Sequence, residues 1–513
     1  MLISLLAIIC TAQASPPAEL DESKKDKTEK RAKQQGDFMD VWVTSAFEDT
    51  NLFAGPEAYS PSANFVQRGN RAFFEDYESR SSDDISRAQL VLYRKDEGNW
   101  NGWSTEAAFV LRYTPYLNPD QTDPGTNLED DGSYVRIIKD LGGEDHTLSL
   151  TGYAVDSGRF RLGYSYDLTW GGRDIYAFTT GAAPGVRAQW QKGGHYAFAG
   201  VKSAVGDYVD PDTRLKRNQA YYGFLTGGGV QIQEQLKIEL GAGSFQQGQI
   251  QNVDYTTSTL YGEPIMALGY SGQIAWRSTP DIRWIESADL KLYRNTPDFV
   301  KDSYISHRQL NGTGLLVQAE IDRLSHNLLD PEKGDTTTIE TGTAGDLQTL
   351  VVSGSTSIGV DVVYKDLAYI LFNVPGLTSG VAMNPEMEQT AQLYGRMKVS
   401  HYFSNAHVAP TLGFGWMRPA TYETSGGTFV QYTERDKEQV PEGQDPSPIM
   451  SGIAGVQLDM SKSVVIVAEA LYTVDKNQSE FVKTDDNPSG TRQPAPDNEQ
   501  NVLGMNVMMR ARF

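Results

Sequence analysis

Three features of the 513-residue sequence imply an all-β fold, a transmembrane antiparallel β-barrel of about 16–18 strands with long extracellular loops. The chain opens on a short apolar export segment. Alternating apolar and polar residues then recur along most of its length, and no later apolar run is long enough for a membrane helix. The composition points the same way: 49 Gly and 26 Tyr suit strands, turns and interfacial aromatics better than helices. With 45 Lys and Arg against 66 Asp and Glu the net charge is -21, which argues against a nucleic-acid partner, since phosphate binding needs clustered basic charge.

Residues 1–14 (MLISLLAIICTAQA) read as a signal peptide, with Leu2 to Cys10 apolar and Ala12-Gln13-Ala14 as the cleavage site. Ile9 is too bulky to precede a lipidated cysteine, so an acyl anchor is not expected. Cys10 is the only cysteine. The exported chain therefore has no disulfide, and a closed sheet, which pairs all its backbone groups internally, supplies stability another way. Residues 15–36 are charged and nearly free of large apolar groups, and read as a flexible periplasmic segment. The barrel is assigned to 37–513.

Within it, hairpins recur. Around the turn Lys192-Gly193-Gly194, Val186, Ala188 and Trp190 alternate with Arg187, Gln189 and Gln191. Leu236, Ile238 and Leu240 oppose Lys237 and Glu239, and Leu393, Gly395, Met397 and Val399 oppose Gln392, Tyr394, Arg396 and Lys398. In residues 146–168 the turn Asp156-Ser157-Gly158 precedes a further arm, with Phe160, Leu162, Tyr164, Tyr166 and Leu168 against Arg159, Arg161, Gly163, Ser165 and Asp167. Tyr113, Trp170, Trp190, Trp276, Trp284, Tyr293, Tyr402, Phe403, Trp416 and Tyr472 fall near strand ends, where a membrane barrel carries its aromatic girdles. Short turns at 192–194, 233–235, 404–407 and 459–462 alternate with long connections at 246–264, 418–448 and 474–500. One connection breaks the pattern: 366–385 is too apolar for a solvated loop. It either folds into the lumen as a constriction or packs on a neighbouring subunit; the alternative is a lipid-facing strand over about 360–373.

The chain ends on NVLGMNVMMRARF. Leu503, Met505, Val507, Met509, Ala511 and Phe513 take alternate positions, with Arg510 and Arg512 between them, so one face is apolar and the other polar.

Together the signal, the amphipathic hairpins and this last strand resemble a Gram-negative outer-membrane β-barrel of the porin type. That resemblance implies residence in the cell outer membrane among lipid and lipopolysaccharide. It also implies an assembly signal at Val507, Met509 and Phe513 that is read by the barrel-assembly machinery, and, by analogy with general porins, a homotrimer.

A barrel of this size encloses water, so solute passage follows from lumen width and wall charge. The expected pore-lining charges are Arg112, Arg159, Arg161, Arg187, Lys237, Glu239, Glu320, Arg396, Lys398, Arg510 and Arg512, with Glu106, Asp167, Asp289, Lys291, Asp322 and Glu469 among their partners. No His-Glu-x-x-His, Gly-x-Ser-x-Gly, P-loop or cysteine framework is present, and the six histidines are scattered, so neither enzymatic activity nor a metal or cofactor is expected. Passive diffusion of small hydrophilic solutes is the function expected. A polysaccharide exporter resembling the alginate-exporter type is the alternative, favoured by a continuous basic lumen stripe. A non-conducting structural or adhesive barrel is another, favoured by a lumen filled by loops.

Overall fold

The computed structural model describes residues 40–49, 52, 86–96, 102–116 and 125–165 apart from Glu144, most of 168–282, then 284, 312–329, 336–371 and, short gaps apart, 388–512. The signal peptide, the charged segment 15–36 and Phe513 lie outside the described residues.

The first strands are β1 (Asp40–Asp49), β2 (Ser86–Asp96), β3 (Trp103–Tyr116), β4 (Gly125–Asp130), β5 (Tyr134–Asp140), β6 (Thr147–Tyr153), β7 (Gly185–Lys192), β8 (His195–Val209) and β9 (Lys216–Gln233). They are followed by β10 (Leu236–Gln249), β11 (Pro264–Arg277), β12 (Thr313–Leu329), β13 (Thr337–Ser353) and β14 (Thr356–Lys365), then the short helix α1 (Leu367–Leu371). Next come β15 (Gln389–Thr390), β16 (Gln392–His401), β17 (Val408–Arg418), β18 (Ala420–Thr424), β19 (Gly427–Gln431), β20 (Lys437–Gln439) and β21 (Ile449–Asp459). The chain finishes with β22 (Val464–Val474), β23 (Ser479–Thr484), β24 (Asn487–Pro494), α2 (Asp497–Gln500) and β25 (Asn501–Arg512).

Among the described residues, one sheet of 19 strand segments holds all but β15, β18–β20, β23 and β24. Its segments pair in chain order, and β25 pairs antiparallel with β1, Trp42 opposite Arg512, while β1 also pairs with β2. The sheet therefore closes on itself. Because β4 and β5 lie end to end against β3, the 19 segments occupy 18 places in the ring. That even number falls within the range the sequence implies.

Each strand sorts its side chains by parity. On β11 Leu268, Tyr270, Ile274 and Trp276 point outward and are exposed, while Ala267, Ser271, Gln273 and Ala275 point inward and are buried. Leu240, Phe224 and Ile321 are each more than 60% exposed, which no water-facing wall sustains but lipid does. Trp103, Trp190 and Trp276 mark the outer wall at the short-turn end; Tyr113, Tyr222, Trp416 and Tyr472 mark it toward the other. On β3, Trp103 and Tyr113 are ten residues apart, about 33 Å along a strand and about 25 Å across the membrane at a tilt of about 40°. The two belts thus have the spacing of an apolar band.

On β25 Met508 and Arg510 are buried in the lumen while Met509 is exposed outside, as the terminal alternation implies. Connections also segregate. Gly193-Gly194, Glu234-Gln235 and Gly354-Ser355 close hairpins at one end, and the strand ends joined by 154–184, 366–391, 419–448 and 475–500 are at the other; the strand ends joined by 278–312, at the short-turn end, are an exception.

Three expectations are corrected. Residues 159–168 are not a barrel strand, since β6 ends at Tyr153 and the next barrel strand begins at Gly185. Trp170 is not a girdle residue, because it is 1% exposed inside the barrel. The lipid-facing strand over 360–373 is also absent, for β14 stops at Lys365 and gives way to the buried α1.

Candidate functional site

The lumen is built by a finger that enters it from the long-loop end. After β6 the chain turns inward, held at its neck by a parallel bridge between Asp156 and Ala183 and by the Ser157 N–H donating to Ala183 O at 2.9 Å. Lys202 of β8, buried, donates its Nζ to Ser157 O (2.8 Å) and Gly171 O (2.7 Å), tying both arms of the finger to the wall. Leu162 and Trp170 exchange two backbone hydrogen bonds of 2.8 Å, so the finger is a small hairpin. Gly163 permits it: its φ is +91°, and a Cβ there would lie 2.8 Å from the Thr169 Cα.

The base of the finger is apolar. Phe160 stacks on Tyr153 (6.2 Å between ring centres), and Trp170 meets Phe245 edge-on at 5.8 Å while its Nε1 donates to Ser271 Oγ at 2.8 Å. The wall makes room with glycines on its inner face. A Cβ at Gly200 would come within 2.5 Å of Phe160, at Gly243 within 2.7 Å of Leu162, and at Gly269 within 2.4 Å of Trp170.

The tip is polar. Glu320 of β12 accepts the Tyr164 N–H at 2.8 Å and also the Ser165 N–H, and Ser165 Oγ donates to Asp346 of β13. Glu320 and Asp346 stand opposite each other in register, and Asp322 is two residues along β12; all three are buried. Burial pushes the Tyr164 phenol up, and the nearby Glu239 carboxylate adds to the effect.

A second inward piece meets this tip. Asp366 caps α1, accepting the Tyr369 N–H at 2.8 Å and the Thr343 N–H of β13 at 2.6 Å. Burial raises the Asp366 carboxyl, and those two N–H groups offset part of the rise. Leu367, Tyr369, Ile370 and Leu371 are buried in the same core as the finger, so this stretch of 366–385 does enter the lumen; residues 372–385 lie outside the described residues. The Tyr369 hydroxyl donates to Leu168 O at 2.6 Å, with Asp322 Oδ2 3.1 Å away. Gly342 of β13 admits the helix, since a Cβ there would lie 2.4 Å from the Tyr369 nitrogen.

The expected pore-lining residues divide between wall and finger. Arg112 faces the lumen and pairs with Glu129 at 2.9 Å. Arg187 is buried against Phe198 (4.5 Å) and Phe160 and donates to Gln189 at 2.6 Å. Lys237 pairs with Glu239 at 2.5 Å, and Glu239 also accepts the Tyr196 hydroxyl. Arg510 is buried on the inner face of β25; Arg512 ends that strand. Arg159 and Arg161 are not on the wall at all but on the finger, Arg159 paired with Asp131 at 3.3 Å and Arg161 donating to Thr169 at 3.3 Å. Glu106, also on the inner wall, anchors a buried cluster with Arg136 (2.6 Å), Tyr134 and Tyr93.

The wall from β14 to β17 differs. Arg396 and Asp361 pair at 2.6 Å, and both stay partly exposed, as does Lys398 beside them. Lys398 is flanked in register by Gly359 and Gly413, and nothing stands within 4 Å of where a Gly359 Cβ would be. Open lumen therefore adjoins this strip. Among the described residues no three His, Cys, Asp or Glu side chains are arranged to hold a metal ion.

Apart from the barrel sheet, β15 and β18–β20 form one small sheet and β23–β24 a hairpin. They are joined by the Glu442 N–H donating to Arg492 O (3.0 Å) and by Ser479 Oγ donating to Gln439 O (2.7 Å).

No protein-family model matches the chain, and no curated protein matches it in sequence. Solved outer-membrane proteins are similar to it at very low identity. OccAB2 of Acinetobacter baumannii is 7% identical at a TM-score of 0.45, over 93% of this chain and 98% of that one. OpdK of Pseudomonas aeruginosa is 7% identical at 0.43, with the same coverage. Wzi of Escherichia coli, a carbohydrate-binding β-barrel involved in group 1 capsule assembly, is 10% identical at 0.41, over 98% and 90%. Nothing about activity transfers at this level of similarity.

Proposed function

We propose that the chain is an outer-membrane channel for the diffusion of small hydrophilic solutes, narrowed by the finger and by α1, with the solute path along the β14–β17 wall. One observation carries this reading. The finger packs against β6–β13, whereas Asp361, Arg396 and Lys398 on the next strands of the ring keep contact with open lumen beside Gly359. A partly exposed charged strip is what a water-filled passage needs, because each ion there remains solvated or paired. The short-turn end faces the periplasm and the long loops face outward, as the loop asymmetry suggests.

A non-conducting barrel is the second reading, favoured by the finger's attachment to Glu320 and Asp346, which fills one side of the lumen. The exporter reading has less support, because the lumen cations Arg136, Lys237 and Arg396 are each paired with a carboxylate and do not form a basic stripe.

Single-channel recording of the refolded protein in a planar bilayer under a KCl gradient tests the choice. Discrete open steps, with Arg396→Ala plus Lys398→Ala shifting the reversal potential toward cation preference, are the expected result. Folded, inserted protein that carries no current would sink the channel reading and leave the non-conducting barrel.

A further inference from the structure

We infer that the two inward segments, which come from connections roughly two hundred residues apart in sequence, act as one coupled unit, and that Tyr369 is the positioning residue that holds the finger tip in place. Only the conductance part of the test rests on the channel reading above.

The argument starts from how the finger is attached. Its base is held by apolar packing of Phe160, Leu162 and Trp170 into glycine-lined hollows and by Lys202 at the neck. Its tip is held by hydrogen bonds: Tyr164 and Ser165 to Glu320, Ser165 to Asp346, and Leu168 O to Tyr369. Water can replace hydrogen bonds at modest net cost but cannot replace buried apolar contacts. The tip therefore has a lower opening free energy than the base, with Gly163 at the boundary between them.

Of those attachments, only the Tyr369 hydroxyl comes from outside the barrel wall. It reaches both the finger, at Leu168 O, and the wall, at Asp322. The helix that carries it is itself fastened by Asp366 to β13 and seated over Gly342. A phenol tied at both sides transmits displacement of either segment to the other. Coupling between two sites is reciprocal, so loosening the finger must loosen the helix by the same factor.

Hydrogen–deuterium exchange on the full chain folded in lipid nanodiscs tests this. Tyr369→Phe removes one hydroxyl and keeps the ring in its pocket. It is expected to speed exchange at the Tyr164 and Ser165 amides about 2- to 13-fold, the worth of one hydrogen bond, and to leave the Leu162 and Trp170 amides unchanged. Ser165→Ala, which removes a hydroxyl bonded to Asp346 and not to Tyr369, is expected to speed exchange at the Tyr369 and Ile370 amides. No change at the tip in Tyr369→Phe, or equal acceleration at tip and base, would overturn the coupling. So would unchanged helix amides in Ser165→Ala.

The same two variants are then recorded in planar bilayers. If the parent conducts, both are expected to add a larger open level. If the parent carries no current while the exchange coupling appears, the channel reading fails and the coupling stands.

Discussion

At the residue scale, the lumen depends on which face of a strand a glycine occupies. Gly269 and Gly272 are three apart on β11 and point to opposite sides. A Cβ on Gly269 would sit 2.4 Å from both Trp170 and Leu324; one on Gly272 would meet only Leu240, at 3.4 Å. Gly269→Ala must overpack the finger's base, at a cost of about 1–3 kcal/mol. The expected outcome is exchange at the Leu162 and Trp170 amides accelerated about 5- to 150-fold, with Gly272→Ala indistinguishable from the parent. Equal behaviour of the two variants would mean that Trp170 is not seated against β11. Glu320 shows the complementary rule for polar groups. A carboxylate buried opposite Asp346 in register is unfavourable on its own, and here it is held by two backbone donors supplied by the finger.

At the scale of elements, α1 is too short to be stable alone and exists because Asp366 caps it and Gly342 accepts it. That cap is expected to be pH-dependent. Burial raises the folded Asp366 carboxyl above its unfolded value of about 3.9. Its contribution is therefore complete below the unfolded value and is lost as pH rises through the folded one. Protection of the Tyr369 amide, corrected for intrinsic exchange, should fall as pH rises out of the carboxylate range. Asp366→Asn should flatten that fall, and an unchanged slope would assign it to other carboxylates.

Strands such as β10 and β16 were legible because two solvents impose period two on an extended chain: Leu236, Ile238 and Leu240 outward, Lys237 and Glu239 inward. The finger has the same period for a different reason. It is also extended, as the Leu162–Trp170 bridge shows, but both of its faces are enclosed. Alternation reports extension, not which surroundings each face meets, so Phe160, Leu162 and Leu168 passed for a lipid-facing set. The signal that separates the cases lies elsewhere in the chain. Lumen-facing positions of β8, β10 and β11 carry Gly200, Gly241, Gly243 and Gly269 where a water-filled wall would carry polar side chains. In sequence the apolar stretch after Lys365 fits a lumen segment, a subunit contact or a lipid-facing strand, and only the burial of Leu367, Ile370 and Leu371 in α1 separates them.

At the scale of the whole molecule, the barrel is inverted relative to a water-soluble protein: its charges are inside and its exposed surface is apolar. Leu240 tests that arrangement directly. It stands on the outer face of β10, 63% exposed, with Gly228 and Gly272 beside it in register. β10 runs from Leu236, opposite Trp276 of one belt, to Gln246, whose side chain accepts the Tyr222 amide of the other. Leu240 is thus near mid-membrane. Leu240→Lys is expected to destabilise the protein by about 2–4 kcal/mol against denaturant in lipid vesicles. Lys237, three residues away, already holds a lysine on the inner face, buried and paired with Glu239. Lys237→Leu should therefore act differently: it removes the partner of a buried carboxylate and loosens the lumen near Tyr196 without changing how the barrel meets lipid. The two effects separate by medium. The Leu240→Lys penalty should shrink in a thin detergent belt that lets the ammonium reach water, whereas the Lys237→Leu effect should stay constant. If Leu240→Lys cost the same in vesicles and in detergent, the outer face of β10 would not be in contact with lipid, and the closed ring would have to pack this wall against protein.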